Sequence, residues 1–228
     1  RSAWTWSCSR GPFLRPTASA TRGSSSAVSS PSGAPGGPQS PSLSVAVQNG
    51  LVAPMVLAHG SDAQRERLLP ALASGEVLGA FALSEPGAGS DPAALETRAR
   101  ADGEGWRISG TKKWVTNGDR ADVIVVFART SGHDGGEEGG ADVGAFLVER
   151  SAEGIRVAGR ERTMGLRASE LVELRLEDVR VGPGGLLGDP TAGLGYALEA
   201  LDVARLGAAA QGVGVARAAC EHATRYAG

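Results

Sequence analysis

Two short stretches carry the residues of this chain whose types and spacing could do chemistry. The first runs from Phe81 to Asp91; it begins as an apolar strand and ends in a turn containing Pro86, Gly87 and Gly89. Glycines let a backbone approach a ligand closely because no Cβ is in the way. The N–H groups of such a turn can converge on an anion, so this stretch is a candidate phosphate-binding turn.

The second stretch, Lys113 to Gly118, contains an indole followed two residues later by a hydroxyl. In a strand, Trp114 and Thr116 project from the same face, so a flat cofactor could stack on the ring and receive a hydrogen bond from the hydroxyl. With phosphates at the glycine turn, that arrangement describes a flavin dinucleotide. Each signal is weak alone: a single Trp is more typical of a half-buried strand residue, and Gly87-x-Gly89 lacks the third glycine of a dinucleotide-binding fingerprint.

Three motifs together resemble the acyl-CoA dehydrogenase family: Phe81 to Asp91, Trp114 to Gly118, and Leu201-Asp202-Val203-Ala204-Arg205. Their order and spacing agree with the family over roughly Ser42 to Gly228. The resemblance implies an α+β fold in which a central antiparallel β-barrel domain lies between two all-α domains, both incomplete here. It also implies oxidation of a fatty acyl-CoA thioester to its trans-2-enoyl-CoA, with hydride transfer to N5 of the cofactor FAD.

The resemblance implies roles for individual positions. Those matching the flavin-binding stretches of the family are Phe81, Ala82, Leu83, Ser84, Gly87, Gly89, Ser90, Trp114, Val115 and Thr116. Those matching its substrate-contacting stretches are Ser90, Asp202, Val203, Ala204 and Arg205. Without the resemblance, Ser90-Asp91 would be interpreted as a plain helix N-cap and Arg205 as a surface charge.

The general base of the expected reaction has no candidate in the sequence. Most of the family place a glutamate in the C-terminal bundle, which the resemblance puts after Gly228; a minority place it one residue before the arginine that matches Arg205. Here that residue is Ala204, which cannot accept a proton. Glu199 lies off the helical face of Ala204, and Asp202 belongs to the binding motif. We therefore expect no catalytic residue and no dehydrogenase activity in the chain itself.

Two other function classes fit the same residues. A flavin-dependent oxidase of the same fold, of the acyl-CoA oxidase or nitroalkane oxidase type, would differ in its base and in how oxygen reaches the reduced flavin. An inactive fragment would bind nothing, so a yellow, flavin-loaded preparation would argue against it. For the full-length parent, the resemblance implies an acyl-CoA substrate, electron-transfer flavoprotein as the electron acceptor, and a homodimer or homotetramer.

Composition argues against several other classes. The chain has 228 residues and a formal net charge of −2, so it shows no electrostatic footprint for nucleic acid. Its 2 cysteines cannot form a disulfide framework and its 3 histidines are scattered, so no metal site is expected. No apolar run reaches the ~18 residues that a membrane helix needs. We expect a cytoplasmic protein if the source is bacterial and a mitochondrial matrix protein if it is eukaryotic.

Residues 1–42 differ from the rest of the chain. They contain 12 serines, 6 of the 12 prolines and no acidic residue, a composition that predicts disorder. A transit peptide has this composition, but the family places a whole helical domain ahead of the Phe81 motif. We therefore favour a truncated or frame-shifted start, with family-like sequence resuming near Ser42.

The remaining sequence predicts three regions. Residues 43–77 read as helices left from the N-terminal helical domain, with a break at Pro54, an end at Gly60, and a capping box at Ser61 whose helix breaks again at Pro70.

Residues 78–182 read as a β-domain, because short apolar or alternating runs recur between turn signals. The predicted strands are Leu78–Leu83, Leu95–Ala101, Trp106–Lys112, Val123–Ala128, Val143–Val148, Ile155–Val157, Glu170–Leu176 and Val179–Val181, with a solvated loop at Ser131–Ala141. Residues 183–228 read as the start of the C-terminal bundle, with one long helix from Leu194 to Ala227.

Overall fold

The computed structural model describes residues 39–130, 142–167 and 169–228, with side chains from residue 43 onward. The disorder expected for residues 1–42 falls outside these ranges except at its end, where a helix already begins at Gln39. The solvated loop expected at Ser131–Ala141 also lies outside the described residues.

The first helical segment changes from α-helical to π-helical geometry just before Pro54 but does not break there. Helix α1, Gln39–Val47, continues through a π-helical turn, Gln48–Val52, into helix α2, Ala53–His59. Pro54 is the second residue of α2, so its missing N–H falls directly after the turn, where the wider backbone spacing tolerates the loss.

The end of α2 differs from the prediction in its backbone conformation. Gly60 follows the helix with φ −69° and ψ 150°, an extended conformation rather than the left-handed one that favours glycine at helix ends. A Cβ on Gly60 would lie 2.4 Å from the carbonyl oxygen of Val56. Glycine is therefore required at this position because any side chain would clash with the Val56 carbonyl oxygen.

Helix α3, Asp62–Ser74, begins with the predicted capping box, in which Ser61 and Gln64 each bond the other's backbone N–H. The predicted break at Pro70 is wrong, because the helix runs through this residue to a left-handed Gly75 at φ 80°. Leu68 and Leu72, on either side of the proline, are buried in the core. Their packing outweighs the hydrogen bond that proline removes.

Eight strands of the described residues form one sheet. They are β1 Gly79–Ala82, β2 Arg98–Asp102, β3 Gly105–Thr116, β4 Val123–Thr130, β5 Val143–Glu149, β6 Ile155–Arg160, β7 Leu171–Val181 and β8 Leu186–Leu187. Their order is β6-β7-β3-β2-β4-β5-β8, and β1 also pairs with β4. The expected α+β fold is confirmed, although β4 pairs in parallel with both β1 and β2 while the other pairs are antiparallel.

The sheet wraps around one apolar core and packs against helices with its other face. Strands β1 to β7 all contribute side chains to the inner core. Along β4, Ile124, Val126 and Ala128 enter this core, whereas Val123, Val125 and Phe127 pack with the helices. The continuous apolar run predicted to be buried on both faces is therefore confirmed.

Two other strand predictions have different outcomes. The predicted hairpin is confirmed, since β2 and β3 pair in antiparallel fashion around Gly103-Glu104. The two strands predicted at Glu170–Leu176 and Val179–Val181 are instead one strand, β7. Asp178, at φ 53°, lies between the two segments, so the chain bends there without leaving the sheet.

Helix α4, Gly193–Ala227, is the predicted long helix. Its buried residues are Gly193, Ala197 and Ala200, so only the first turns pack into the core. No helix in the described part of the chain is long and apolar enough to cross a lipid bilayer.

Candidate functional site

A cavity of about 420 Å³ opens between the sheet and the helices, within the usual size range of ligand sites. Its walls come from α1, the π-helical turn, β1 and the loop after it, β3 and α4. The lining residues are Val47, Leu51, Phe81, Leu83, Ser84, Gly89, Ser90, Pro92, Lys113, Trp114, Thr116, Leu198, Leu201 and Arg205.

Most of the residues singled out in the sequence meet at this cavity. From the candidate flavin positions, those that line it are Phe81, Leu83, Ser84, Gly89, Ser90, Trp114 and Thr116, and Arg205 joins them from α4. Residues more than 80 positions apart in the sequence therefore share one concave surface.

The other candidates lie elsewhere. Ala82 and Val115 are 0% and 1% exposed and belong to the inner core of the sheet. Asp202 and Val203 are exposed on α4. Ala204 packs against the π-helical turn, where a Cβ on Gly50 would lie 3.8 Å from its methyl group. These five side chains do not line the cavity, and neither does Gly87.

Trp114 occupies an unusual backbone position that the sequence does not reveal. Its φ is 56°, and the register between β3 and β7 shifts between Lys112 and Val115. This β-bulge turns the indole away from the inner core, so the side chain stays 46% exposed at the cavity. Thr116 reaches the same cavity, as predicted, but through a bulged strand instead of a regular one.

The glycine turn is a closed four-residue turn. The Glu85 N–H donates to Ala88 O at 2.9 Å, and the Ala88 N–H donates to Glu85 O at 3.2 Å, with Pro86 and Gly87 at the tip. A Cβ on Gly87 would meet no atom within 4 Å, and one on Gly89 would lie 3.7 Å from the Trp114 ring. The turn therefore presents an exposed, uncrowded backbone beside the indole.

Sequence reasoning missed a buried ion pair behind this turn. The Lys112 ammonium lies 2.7 Å from Glu85 Oε1 and donates to Leu83 O at 3.0 Å. Glu85 also accepts backbone N–H bonds from Glu96 at 2.6 Å and Thr97 at 3.0 Å. Lys112 is 0% exposed and Glu85 is 4% exposed. The available signal was strand alternation, which places Lys112 on the inward face with Ile108 and so demands a partner.

Burial and charge act against each other in this pair. Desolvation lowers the pKa of Lys112 to about 8, and the Glu85 charge only partly offsets it. Burial opposes ionisation of Glu85, but the Lys112 charge and hydrogen bonds outweigh it and hold the pKa of that carboxyl below its usual value. Both groups are thus charged at neutral pH.

Two further cations line the cavity. Lys113 Nζ lies 5.4 Å from the Trp114 ring centroid, and it pairs with Glu161 at 3.4 Å and Glu173 at 3.8 Å. Arg205 forms an ion pair with Asp202 on α4. Two cationic side chains, each paired with neighbouring carboxylates, thus line the cavity from two sides and offer donors to an anionic ligand.

A general base is not found among the described residues that line the cavity, because none of them carries a carboxylate. The Glu199 carboxylate lies 3.0 Å from His59 Nε2, and His59 stacks on Tyr196 at a centroid distance of 3.6 Å. Glu199 is therefore engaged at the α2–α4 contact. Within the described residues there is also no cluster of metal-ligating side chains.

Comparison with known proteins agrees with this geometry. The family models for the acyl-CoA dehydrogenase N-terminal and middle domains match residues 35–76 and 80–179. Over 185 residues the chain is 41% identical to the mitochondrial short-chain specific acyl-CoA dehydrogenase of Bos taurus, a match covering 80% of this chain and 43% of the bovine protein.

Solved structures show the same likeness. Butyryl-CoA dehydrogenase from Megasphaera elsdenii superposes with a TM-score of 0.77 and 33% identity, over 82% of this chain and 48% of that one. A glutaryl-CoA dehydrogenase from Mycobacterium smegmatis, in complex with FADH2, gives a TM-score of 0.73 and 37% identity, over 81% and 45% of the two chains. The chain spans less than half the length of these relatives. The family models and these likenesses together show that it belongs to the acyl-CoA dehydrogenase family.

Proposed function

We propose that this chain forms the flavin- and substrate-binding part of an FAD-dependent acyl-CoA dehydrogenase. The reaction is α,β-dehydrogenation of an acyl-CoA thioester to the trans-2-enoyl-CoA. The observation that carries the proposal is the meeting of Trp114, Thr116, the glycine turn and Arg205 around one cavity. Residues 43–77, 78–182 and 183–228 then correspond to the end of the N-terminal helical domain, the middle β-domain and the start of the C-terminal bundle.

The residues present fit FAD. The half-exposed indole of Trp114 offers a flat face, and the Thr116 hydroxyl lies on the same wall. Ser84, Gly89 and Ser90 provide backbone and hydroxyl donors next to that face for a pyrophosphate. When bound, the flavin supplies the hydride acceptor, while the protein supplies orientation and charge.

The opposite wall fits an acyl-CoA. Val47, Leu51, Leu198 and Leu201 are apolar and line the helical side of the cavity, as an acyl chain requires. Ser90 and Arg205 offer a hydroxyl and a cation for the polar arm of the thioester. From the family resemblance, we also propose that electron-transfer flavoprotein is the electron acceptor and that the full-length parent is a homodimer or homotetramer.

The direct test is titration of the purified chain with FAD, followed by the visible absorption spectrum and flavin fluorescence. The unmodified chain should perturb the flavin spectrum, and Trp114→Ala should abolish that perturbation because the stacking surface is gone. Tyr226→Ala is the matched control, since this aromatic ring is 90% exposed near the end of α4. Equal FAD binding by Trp114→Ala and the unmodified chain would refute the proposed site.

A further inference from the structure

We propose that Lys112 and Glu85 are positioning residues: their buried pair fixes the glycine turn against the Trp114 bulge and so sets the shape of the cavity wall that these two segments form. This inference rests on the proposed function for the ligand that occupies the cavity. The position of the glycine turn relative to the Trp114 indole, however, can be tested without any ligand.

The pair connects three segments of the chain. Lys112 on β3 reaches Leu83 O and the Glu85 carboxylate, and the next residue, Lys113, donates its N–H to Ser84 O at 2.8 Å. Two consecutive residues of β3 therefore hold three consecutive residues of the chain after β1. Through its other bonds, the Glu85 carboxylate also ties this loop to the backbone of residues 96 and 97, just before β2.

A β-bulge directly after Lys112 explains why Trp114 faces the cavity. Lys112 and Val115 are 0% and 1% exposed and both point into the sheet, although they are three residues apart. Strict alternation would place residue 114 on the inward face with Lys112. The extra residue of the bulge restores the inward direction at Val115 and leaves Trp114 outside. Lys112 thus points inward by strand alternation, and the bulge that follows it turns Trp114 outward.

A buried ion pair at this place is better suited to positioning than to stability. Replacing such a pair with apolar groups of similar size is often neutral or stabilising, whereas removing one partner leaves an uncompensated buried charge. The bonds from Lys112 and Glu85 are directional and end on particular backbone atoms, which apolar packing cannot reproduce. The pair therefore specifies one position of the turn among several that packing alone would allow.

The experiment compares the double variant Lys112→Met/Glu85→Gln with the unmodified chain. The double variant removes both charges at once, so it avoids the unpaired carboxylate that would unfold Lys112→Met alone. Arg156→Met is the matched control, because Arg156 forms an ion pair with Glu177 on the same sheet, and its side chain is 70% exposed. The chains carry 5-fluorotryptophan, and the ¹⁹F resonance of Trp114 is assigned by its loss in Trp114→Phe.

Three readouts are taken: the thermal unfolding midpoint, the ¹⁹F shift and linewidth of Trp114, and the dissociation constant for FAD. For the double variant we expect a midpoint close to that of the unmodified chain, with a shifted or broadened Trp114 resonance. We also expect FAD binding weakened on the order of tenfold, equivalent to about 1.4 kcal/mol. Arg156→Met should change none of the three.

Each other result overturns a defined part of the inference. A Trp114 resonance and FAD affinity unchanged in the double variant would show that the pair positions nothing. Unfolding of the double variant would show that the pair supports the whole sheet rather than the cavity wall. If the unmodified chain binds no FAD, the proposed function fails; the Trp114 resonance still decides whether Lys112 and Glu85 position the indole.

Discussion

Thr116 is the residue whose proposed role depends on a single atom. Valine has the same shape as threonine but lacks the hydroxyl, so Thr116→Val should preserve the fold and remove one hydrogen bond to the flavin. Such a bond contributes about 0.5–1.5 kcal/mol, so FAD affinity should fall roughly three- to tenfold and the flavin absorption bands should shift. Absorption titration measures both effects, and an unchanged spectrum and affinity would remove Thr116 from the site.

Lys112 should give the stability of the chain an unusual dependence on alkaline pH. Its pKa in the folded chain is about 8, below the usual 10.5 of a lysine side chain. Between these values the unfolded state binds more protons than the folded state, so the free energy of unfolding should rise with pH. From pH 8 to pH 10 the increase should be about 2 kcal/mol.

Urea unfolding at the two pH values measures this increase. The double variant Lys112→Met/Glu85→Gln lacks the titrating ammonium, so its difference between pH 8 and pH 10 should be smaller by that amount. Equal differences in the two proteins would show that the ammonium of Lys112 does not lose its proton in this range.

At the scale of secondary-structure elements, features determined by neighbouring residues could be predicted from the sequence. The Ser61 capping box, the β2–β3 hairpin and the doubly buried β4 depend on nearest neighbours and apolar patterning, and all three are confirmed. The continuity of α3 through Pro70 was not predicted, because it depends on packing against distant residues.

The candidate site was likewise predicted only in part. The motif resemblance singled out Trp114 and Arg205, and both line the cavity. Neither the bulge at Trp114 nor the partner of Lys112 could be deduced from the sequence. Both features arise from the register between β3 and β7 and from a loop that contacts β3 across 27 residues. Patterning along one strand carries no information about such pairings.

The π-helical turn offers a prediction at this scale, because Gln48 within it connects two other elements. Its Nε2 donates to Leu72 O of α3 at 2.6 Å, and its Oε1 accepts from the Gly79 N–H of β1 at 2.9 Å, in a buried position. Gln48→Ala would leave both backbone groups without partners, so we expect a loss of about 3 kcal/mol in the free energy of unfolding.

Chemical denaturation of Gln48→Ala measures this loss. Glu66→Ala, an exposed position on α3, serves as the control and should change stability by less than about 0.5 kcal/mol. A loss for Gln48→Ala no larger than that of the control would show that water replaces both hydrogen bonds.

At the scale of the whole molecule, α4 divides into a packed beginning and an exposed remainder. Its buried residues end at Ala200, whereas Leu206 is 74% and Val213 is 70% exposed. Hydrogen bonds in segments with few buried contacts open more readily, so backbone amides of residues 206–226 should exchange with solvent at least tenfold faster than those of residues 197–204. Hydrogen exchange followed by mass spectrometry of peptides tests this gradient, and uniform protection along α4 would contradict it.

The residues that line the cavity allow a prediction of whether the chain can dehydrogenate an acyl-CoA. Since no described residue lining it carries a carboxylate, the chain given FAD, acyl-CoA and an artificial electron acceptor should show no measurable turnover. A positioned base typically contributes about 10²–10⁴-fold, so its loss removes most of the rate. Ala204→Glu places a carboxylate on α4 next to Arg205, which lines the cavity. Turnover in Ala204→Glu alone would show that the cavity binds both flavin and thioester and lacks only the base. Turnover by the unmodified chain would show that another of its own residues removes the α-proton.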